Sequence, residues 1–310
     1  MLYDQIDRNR RMTVALFVLF GVVVLGLAWA LDLLFIGTGD WVTPTILGAL
    51  IAGGALAFAW FAADRVVLSA LGVRPPNPEH PRERQLPTIV ESVALAAGMP
   101  TPEVYVIDDP SPNALATGRS PDKGVVAFTT GLLDKMSRPQ VEAVAAHEVS
   151  HIANRDSMVG VVAAVLVGVV IIVARFALRL LLFGGGRRRG GGRQSGGPGP
   201  LIIVGLVVLV LAPLFALLLR FAISRRRESL ADANAARLTR NPDAMIEALE
   251  VLAGDHSSVD FQHGFAAHLW IEEPEDPQGP SGLDRLFATH PPIPERIEAL
   301  KAIAGDARFR

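Results

Sequence analysis

Cysteine is absent from the 310-residue chain, which excludes a disulfide framework and thiolate metal ligands and suits a reducing compartment. Any metal-binding or catalytic chemistry must therefore rest on His, Asp or Glu, and there are only seven histidines. No internal repeat is visible, so a solenoid or propeller is not expected. The net charge is only -2, and nothing in its distribution points to a nucleic-acid partner.

Charge is also missing from several long stretches. Residues 12–31 and 41–63 contain none, and each is long enough to cross about 30 Å of hydrocarbon as a helix. Two further charge-free runs occupy 158–174 and 201–219, the first continuing past Arg175 and Arg179, whose aliphatic stems can snorkel toward headgroups. Four spans are expected. The first run is longer than the apolar core of a typical signal peptide and no small-x-small cleavage site precedes the second, so it reads as a retained span.

Orientation follows from the arginines. Arg8, Arg10 and Arg11 precede the first span, whereas residues 32–44 hold two aspartates and no Lys or Arg, which puts the N-terminus in the cytoplasm. The expected order is a cytoplasmic N-terminus (1–11), a membrane hairpin (12–63, spans 12–31 and 41–63), the first half of a soluble domain (64–157), a second hairpin (158–219) and the second half (220–310). The second hairpin comprises 158–183 and 201–219 around the Gly/Arg-rich linker 184–200, a composition that cannot form a packed core. A full crossing by that hairpin leaves Arg187, Arg188, Arg189 and Arg193 outside. Nine arginines near the proposed inner ends (Arg8, Arg10, Arg11, Arg65, Arg74, Arg155, Arg225, Arg226 and Arg227) outweigh them, and a hairpin that only dips into the bilayer is the alternative.

Within the soluble halves, a Pro-rich connector leads into a helix through Ile89, Val93 and Ala96 that ends near Gly98 and Pro100. Residues 103–107, 113–117 and 125–129 read as short strands of a small sheet. Helical spacing returns from Ser137 to about Asn154, with Ser137 as N-cap ahead of Pro139. Helices are also expected around SRRRESLADANAARL, from Asn241 to Leu252, and near Pro294 to Ile303.

The stretch AAHEVSHIANRD lies on the 137–154 helix. His147 and His151, four residues apart, share one face and can reach a single metal ion. Glu148 faces another direction; it can hydrogen-bond a water at the metal, take its proton as it attacks a carbonyl and pass that proton to the leaving amine. A catalytic zinc needs a third protein ligand, and many carboxylates are available. Topology narrows them: the ligand helix runs into the second hairpin, whose far end returns the chain eight residues before Glu228. Asp232, one turn on, is a candidate partner for the second N–H of a ligand histidine, or else part of a solvated helix face paired with the neighbouring arginines.

HEVSHIANRD, the hairpin, RRRESLAD and ATHPPIPERI, in this order, resemble the HtpX family of membrane zinc endopeptidases, relatives of the CAAX prenyl proteases. The resemblance implies a multi-pass α-helical membrane protein with a cytoplasmic α+β zincin domain of the gluzincin type. It implies His147, His151 and Glu228 as ligands of one Zn2+, Glu148 as general base and Asp232 as the aspartate behind a ligand. His290 and Arg296 match a motif close to the metal, where a cation or N–H donor can stabilise an oxyanion. Asn113 and Ala114, in PNALATG, resemble the strand along which an extended substrate pairs, with Leu115 where Phe is common. His80, His256, His263 and His268 match no site.

The implied activity is proteolysis of membrane proteins or their cytoplasmic loops at a prokaryotic plasma membrane, in quality control and under stress. A dedicated CAAX-type maturation protease and a catalytically silent, zinc-stabilised scaffold are the rival readings.

Overall fold

A computed structural model describes residues 2–31, 40–62, 65, 68–69, 71–157, 159, 225–255 and 292–305. Most of the expected second hairpin, including linker 184–200, and His256, His263, His268 and His290 lie outside these residues.

Two long helices come first, α1 (Leu2–Leu31) and α2 (Val42–Phe61). Asp40 starts α2 by accepting from the Val42 and Thr43 N–H groups at 2.8 and 3.1 Å, the local role short acidic side chains play at helix N-termini. The helices pack through an edge-on contact of Phe17 with Trp60, centroids 6.2 Å apart, and the Trp29 indole donates to Thr45 Oγ1 at 2.9 Å. Residues 7–26 of α1 are long and apolar enough to cross a bilayer, and 42–58 of α2 form a shorter apolar segment. Val14, Val18, Val22, Leu50 and Phe61 are exposed, a surface that suits hydrocarbon rather than water.

The domain beyond them is α+β. Arg74 pairs with Val106 at the outer side of the sheet, and a single 3-10 turn (Glu83–Gln85) leads into α3 (Leu86–Ala97). α3 stops at Gly98, whose φ of 68° is the left-handed C-terminal conformation glycine adopts without steric penalty. The strands are β1 (Glu103–Ile107), β2 (Ala114–Thr117) and β3 (Val125–Thr129). A short helix α4 (Thr130–Lys135), capped by the Thr129 hydroxyl, joins β3 to α5 (Arg138–Ala153). At the start of α5 the Ser137 N–H donates to Gln140 Oε1 at 2.7 Å, one arm of a capping box. The second half supplies α6 (Arg225–Thr239), α7 (Pro242–Ala253) and α8 (Ile293–Ala304). Asn241 caps α7 by accepting from Ala244 N–H at 3.1 Å.

β3 lies at the centre of the sheet, parallel to β1 and antiparallel to β2. Leu115, Ala127 and Ile107 pack with Leu71 on one face, while Ala114, Ala116, Val106, Val126 and Phe128 join the main core on the other. Because both faces are covered, Val125–Thr129 is a continuous buried run rather than an alternating one.

α5 occupies the middle of that core. Val141, Ala143, Val144, Ala145, Ala146, Val149 and Ile152 all belong to the core, and the helix packs against α3, the sheet, α6 and α7. The small residues make the helix look only weakly amphipathic in sequence, yet nearly every position from Val141 to Ile152 is buried. Its polar positions are therefore held inside the protein, where a charge needs a partner.

Candidate metal centre

His147 and His151 stand one turn apart on α5, with ring centroids 4.8 Å apart and planes at 83°. Their Nε2 atoms are 3.1 Å apart. Glu228, from the first turn of α6, places Oε2 3.5 Å from His147 Nε2 and Oε1 3.6 Å from His151 Nε2. With ligand bonds of about 2.0 to 2.1 Å, a tetrahedral zinc has ligand–ligand edges of about 3.3 Å. The two Glu228 distances run to different oxygens, and one donor atom from each of the three residues lies within 4.8 Å of the others, a group that can close around a metal ion.

The nitrogens facing away from this triangle have carboxylate partners. Asp232 Oδ1 lies 2.9 Å from His147 Nδ1, and Asp156 Oδ2 lies 3.3 Å from His151 Nδ1. A carboxylate on Nδ1 keeps the proton there and leaves Nε2 as the lone-pair donor. Both lone pairs then converge with a carboxylate on one point, an arrangement that a cation stabilises and that is repulsive without one.

The electrostatics show the same demand for positive charge. Burial, the largest influence, works against protonation of His147, but bonds to Asp232 and Glu228 outweigh it and raise its pKa to about 9. At His151 burial again opposes protonation, and Glu228 and Asp156 overcome it, so its pKa is also raised. Asp232 is buried, which favours its neutral form, yet Arg296 and His147 hold it ionised with a pKa of about 2. His147 is wholly buried, Glu148 is 2% and Glu228 7% exposed, whereas the His151 side chain keeps 14%.

Glu148 is buried on α5 beside His147, and its negative charge is felt by Arg296. Arg296, from the first turn of α8, does not stand free over the triangle. Its Nε and Nη2 donate to the two oxygens of Asp232 at 2.9 and 2.8 Å, a bidentate pair that backs the His147 partner. Asn113 immediately precedes β2 and Ala114 opens it; the strand is bonded on one side to β3 and packs against α5. The Asn113 side chain accepts from the Ala114 N–H at 3.0 Å, and its carbonyl accepts from the Thr129 N–H at 3.0 Å. His80 lies apart from the centre, beside Glu83 at 4.0 Å.

Asp156 is a contributor that the sequence reading overlooks, although it ends the quoted HEVSHIANRD motif. Arg227 is another: it is buried, with Nε 3.9 Å from Asp156 Oδ1. The only sequence signal for either is a charged residue adjoining a motif residue.

Comparison with known proteins agrees with this chemistry. The model of peptidase family M48 matches residues 80–304. A protein named "Protease HtpX homolog" from Streptococcus pneumoniae (strain ATCC BAA-255 / R6) is 43% identical over 308 residues, covering 97% of this chain and 99% of the relative. One of the same name from Dictyoglomus thermophilum is 38% identical over 299 residues, covering 96% and 94%. A crystal structure of S. mikatae Ste24p is also similar, at 19% identity and a TM-score of 0.48, covering 96% of this chain and 66% of that one. By the extent of the family match and the full-length likeness to these relatives, the chain belongs to peptidase family M48 and is a metalloprotease of the HtpX type.

Proposed function

We propose that this protease holds one zinc ion on His147, His151 and Glu228. We further propose that it cleaves membrane proteins or their cytoplasmic loops from the cytoplasmic face of a multi-pass assembly in a prokaryotic plasma membrane, clearing damaged or misassembled chains. The observation that carries the zinc reading is the donor triangle, two imidazole nitrogens and a carboxylate converging with a carboxylate behind each ring. The membrane reading is supported by α1, whose apolar stretch begins beside the end of the ligand helix.

When bound, zinc supplies Lewis acidity to the scissile carbonyl and lowers the pKa of water toward neutrality. Glu148 takes the proton of the attacking water and delivers it to the departing amine; its placement one residue after His147 keeps it beside the ligands without joining them. Asp232 holds the His147 ring and Arg296 holds Asp232, so the negative charge behind the ligand is fixed in place. This favours a positioning role for Arg296 over contact with the oxyanion and leaves His290 as the donor that the family motif offers. A substrate in extended form pairs with the side of β2 opposite β3, where Asn113 precedes the strand and Ala114 begins it.

The test is a protease assay on detergent-purified protein, wild type beside Glu148→Gln. Chelator-sensitive, zinc-restored cleavage by the wild type, and loss of at least about a hundredfold in Glu148→Gln with zinc retained, are expected for a general base. Equal processing by both proteins would favour the scaffold reading. Terminal proteomics of membranes with and without Glu148 then separates many cleaved proteins, as quality control requires, from the single substrate of a maturation protease.

A further inference from the structure

α5 ends at Ala153, and the chain beyond it does not continue along the axis. Arg155 has a φ of 60°, a left-handed conformation disfavoured for a residue with a β-carbon. The Arg155 N–H donates to the Ile152 carbonyl at 3.0 Å and the Asn154 N–H to Ser150 at 2.9 Å. This break in the helix, after which helical backbone resumes at Asp156, sets Asp156 against the last turn of α5, with Oδ2 3.3 Å from His151 Nδ1. A non-glycine residue in this conformation next to a metal centre is where strain serves placement.

The second oxygen of Asp156 is held from a distant part of the chain. Asn9, on α1, donates from Nδ2 to Asp156 Oδ1 at 2.6 Å and to the Asn154 carbonyl at 2.8 Å. Asn9, Asn154 and Asp156 are all buried. Among the described residues, this gives a side-chain route from the membrane helix to the His151 ring. A carboxylate that carries a histidine N–H on one oxygen can still rotate unless its other oxygen is fixed. The Asn9 amide holds it at 2.6 Å, with Arg227 Nε farther off at 3.9 Å, and through Asn154 it ties that plane to the end of α5.

We propose that Asp156, oriented by Asn9, is a positioning residue for His151, so that α1 forms part of the metal centre's support as well as its anchor. The proposal rests on His147, His151 and Glu228 being the metal ligands. A partner on Nδ1 sets the tautomer and rotation of a ligand ring and raises the basicity of its other nitrogen, and losing such a partner weakens metal affinity by about 10- to 100-fold. Displacing α1 relative to α5 by an ångström would break the 2.6 Å contact, which makes zinc affinity sensitive to how α1 sits in its membrane.

The experiment uses full-length protein in detergent, stripped of metal and titrated with zinc against a chromophoric chelator. Asp156→Asn is expected to raise the zinc Kd by about 10- to 100-fold and Asn9→Ala by about 10-fold. Because Asn9 acts through Asp156, adding Asn9→Ala to Asp156→Asn should change Kd by less than about twofold. Asn9→Ser serves in the same cycle if Asn9→Ala does not fold. Thermal unfolding of the metal-free proteins is recorded alongside. A merely structural tie would lower the metal-free Tm and leave the zinc Kd unchanged. The proposal is overturned if Asn9→Ala binds zinc within twofold of wild type, or if the two effects on Kd multiply. His151→Ala separates this from the underlying reading: if it binds zinc like wild type, the ligand assignment itself fails. If it loses zinc while Asn9→Ala does not, only the coupling fails.

Discussion

Replacing Arg296 with leucine should destabilise the domain before any question of catalysis arises. The guanidinium donates to both oxygens of Asp232, and both residues are buried. Arg296→Leu leaves Asp232 ionised against its burial with His147 as its remaining named partner. Breaking a buried pair from one side costs about 3 to 5 kcal/mol, chiefly because the other charge stays behind uncompensated. Measured against a typical domain stability of about 5 to 15 kcal/mol, that is a large fraction. At about 2 to 4 °C per kcal/mol for a domain of this size, the metal-free protein should melt about 6 to 20 °C lower. Adding Asp232→Asn removes the stranded charge, so Arg296→Leu/Asp232→Asn should recover about 1 kcal/mol or more. The assay is far-UV circular dichroism on chelated, detergent-solubilised protein, at one scan rate because membrane proteins commonly unfold irreversibly. A melting point within 2 °C of wild type for Arg296→Leu, or a double variant less stable than the single one, would refute the reasoning.

Three further outcomes are expected. The proposed metal donors come from α5 and α6, so chelation should loosen their packing; at free zinc about a thousandfold above Kd the ion contributes about 4 kcal/mol, and unchanged unfolding of wild type on chelation would contradict this. Glu83 is buried and held down to a pKa of about 2 chiefly by its bond to Arg74, against the opposing effect of burial. A depressed carboxylate stabilises the fold above its unfolded value of 4.5 and loses that contribution as pH falls toward 2. Discounting for the exposed flank of Arg74, about 2 kcal/mol should vanish across that window, and an acid-unfolding profile shared by wild type and Glu83→Gln would count against it. Finally, a β-carbon at Gly131 would meet the Pro110 carbonyl oxygen at 2.1 Å. That atom is backbone and cannot swing aside, so Gly131→Ala should cost about 1 to 3 kcal/mol in thermal unfolding, and a neutral substitution would show that the Pro110 turn yields.

What could be read from sequence was local. His147, Glu148 and His151 declare themselves through spacing within one helix, Asn241 and Pro242 mark a helix start, and 103–107 and 125–129 lie on strands with those bounds. Asp156 stayed hidden because the helix break that sets it against His151 turns on an arginine at φ 60° rather than on a glycine. Asn9 gives no signal either, being one polar residue on the flank of an apolar span. The partner of Arg296 lies 64 residues away, beyond any local pattern, and only the packed helices reveal that the arginine meets Asp232. Arg74 illustrates the same limit: its one-residue pairing with Val106 sits in a Pro-rich connector with no strand periodicity.

The distribution of the centre along the chain has a biosynthetic consequence. Translation delivers α5 with its two imidazoles first, Glu228 and Asp232 only with α6, and Arg296 later still with α8. A nascent chain that has exposed its histidines still lacks Glu228, the proposed third donor, and one released before α8 leaves Asp232 without the Arg296 guanidinium. The proposed centre is thus complete only once its last contributing helix has been made: a stalled or truncated product carries the recognisable motif but not the full constellation around it.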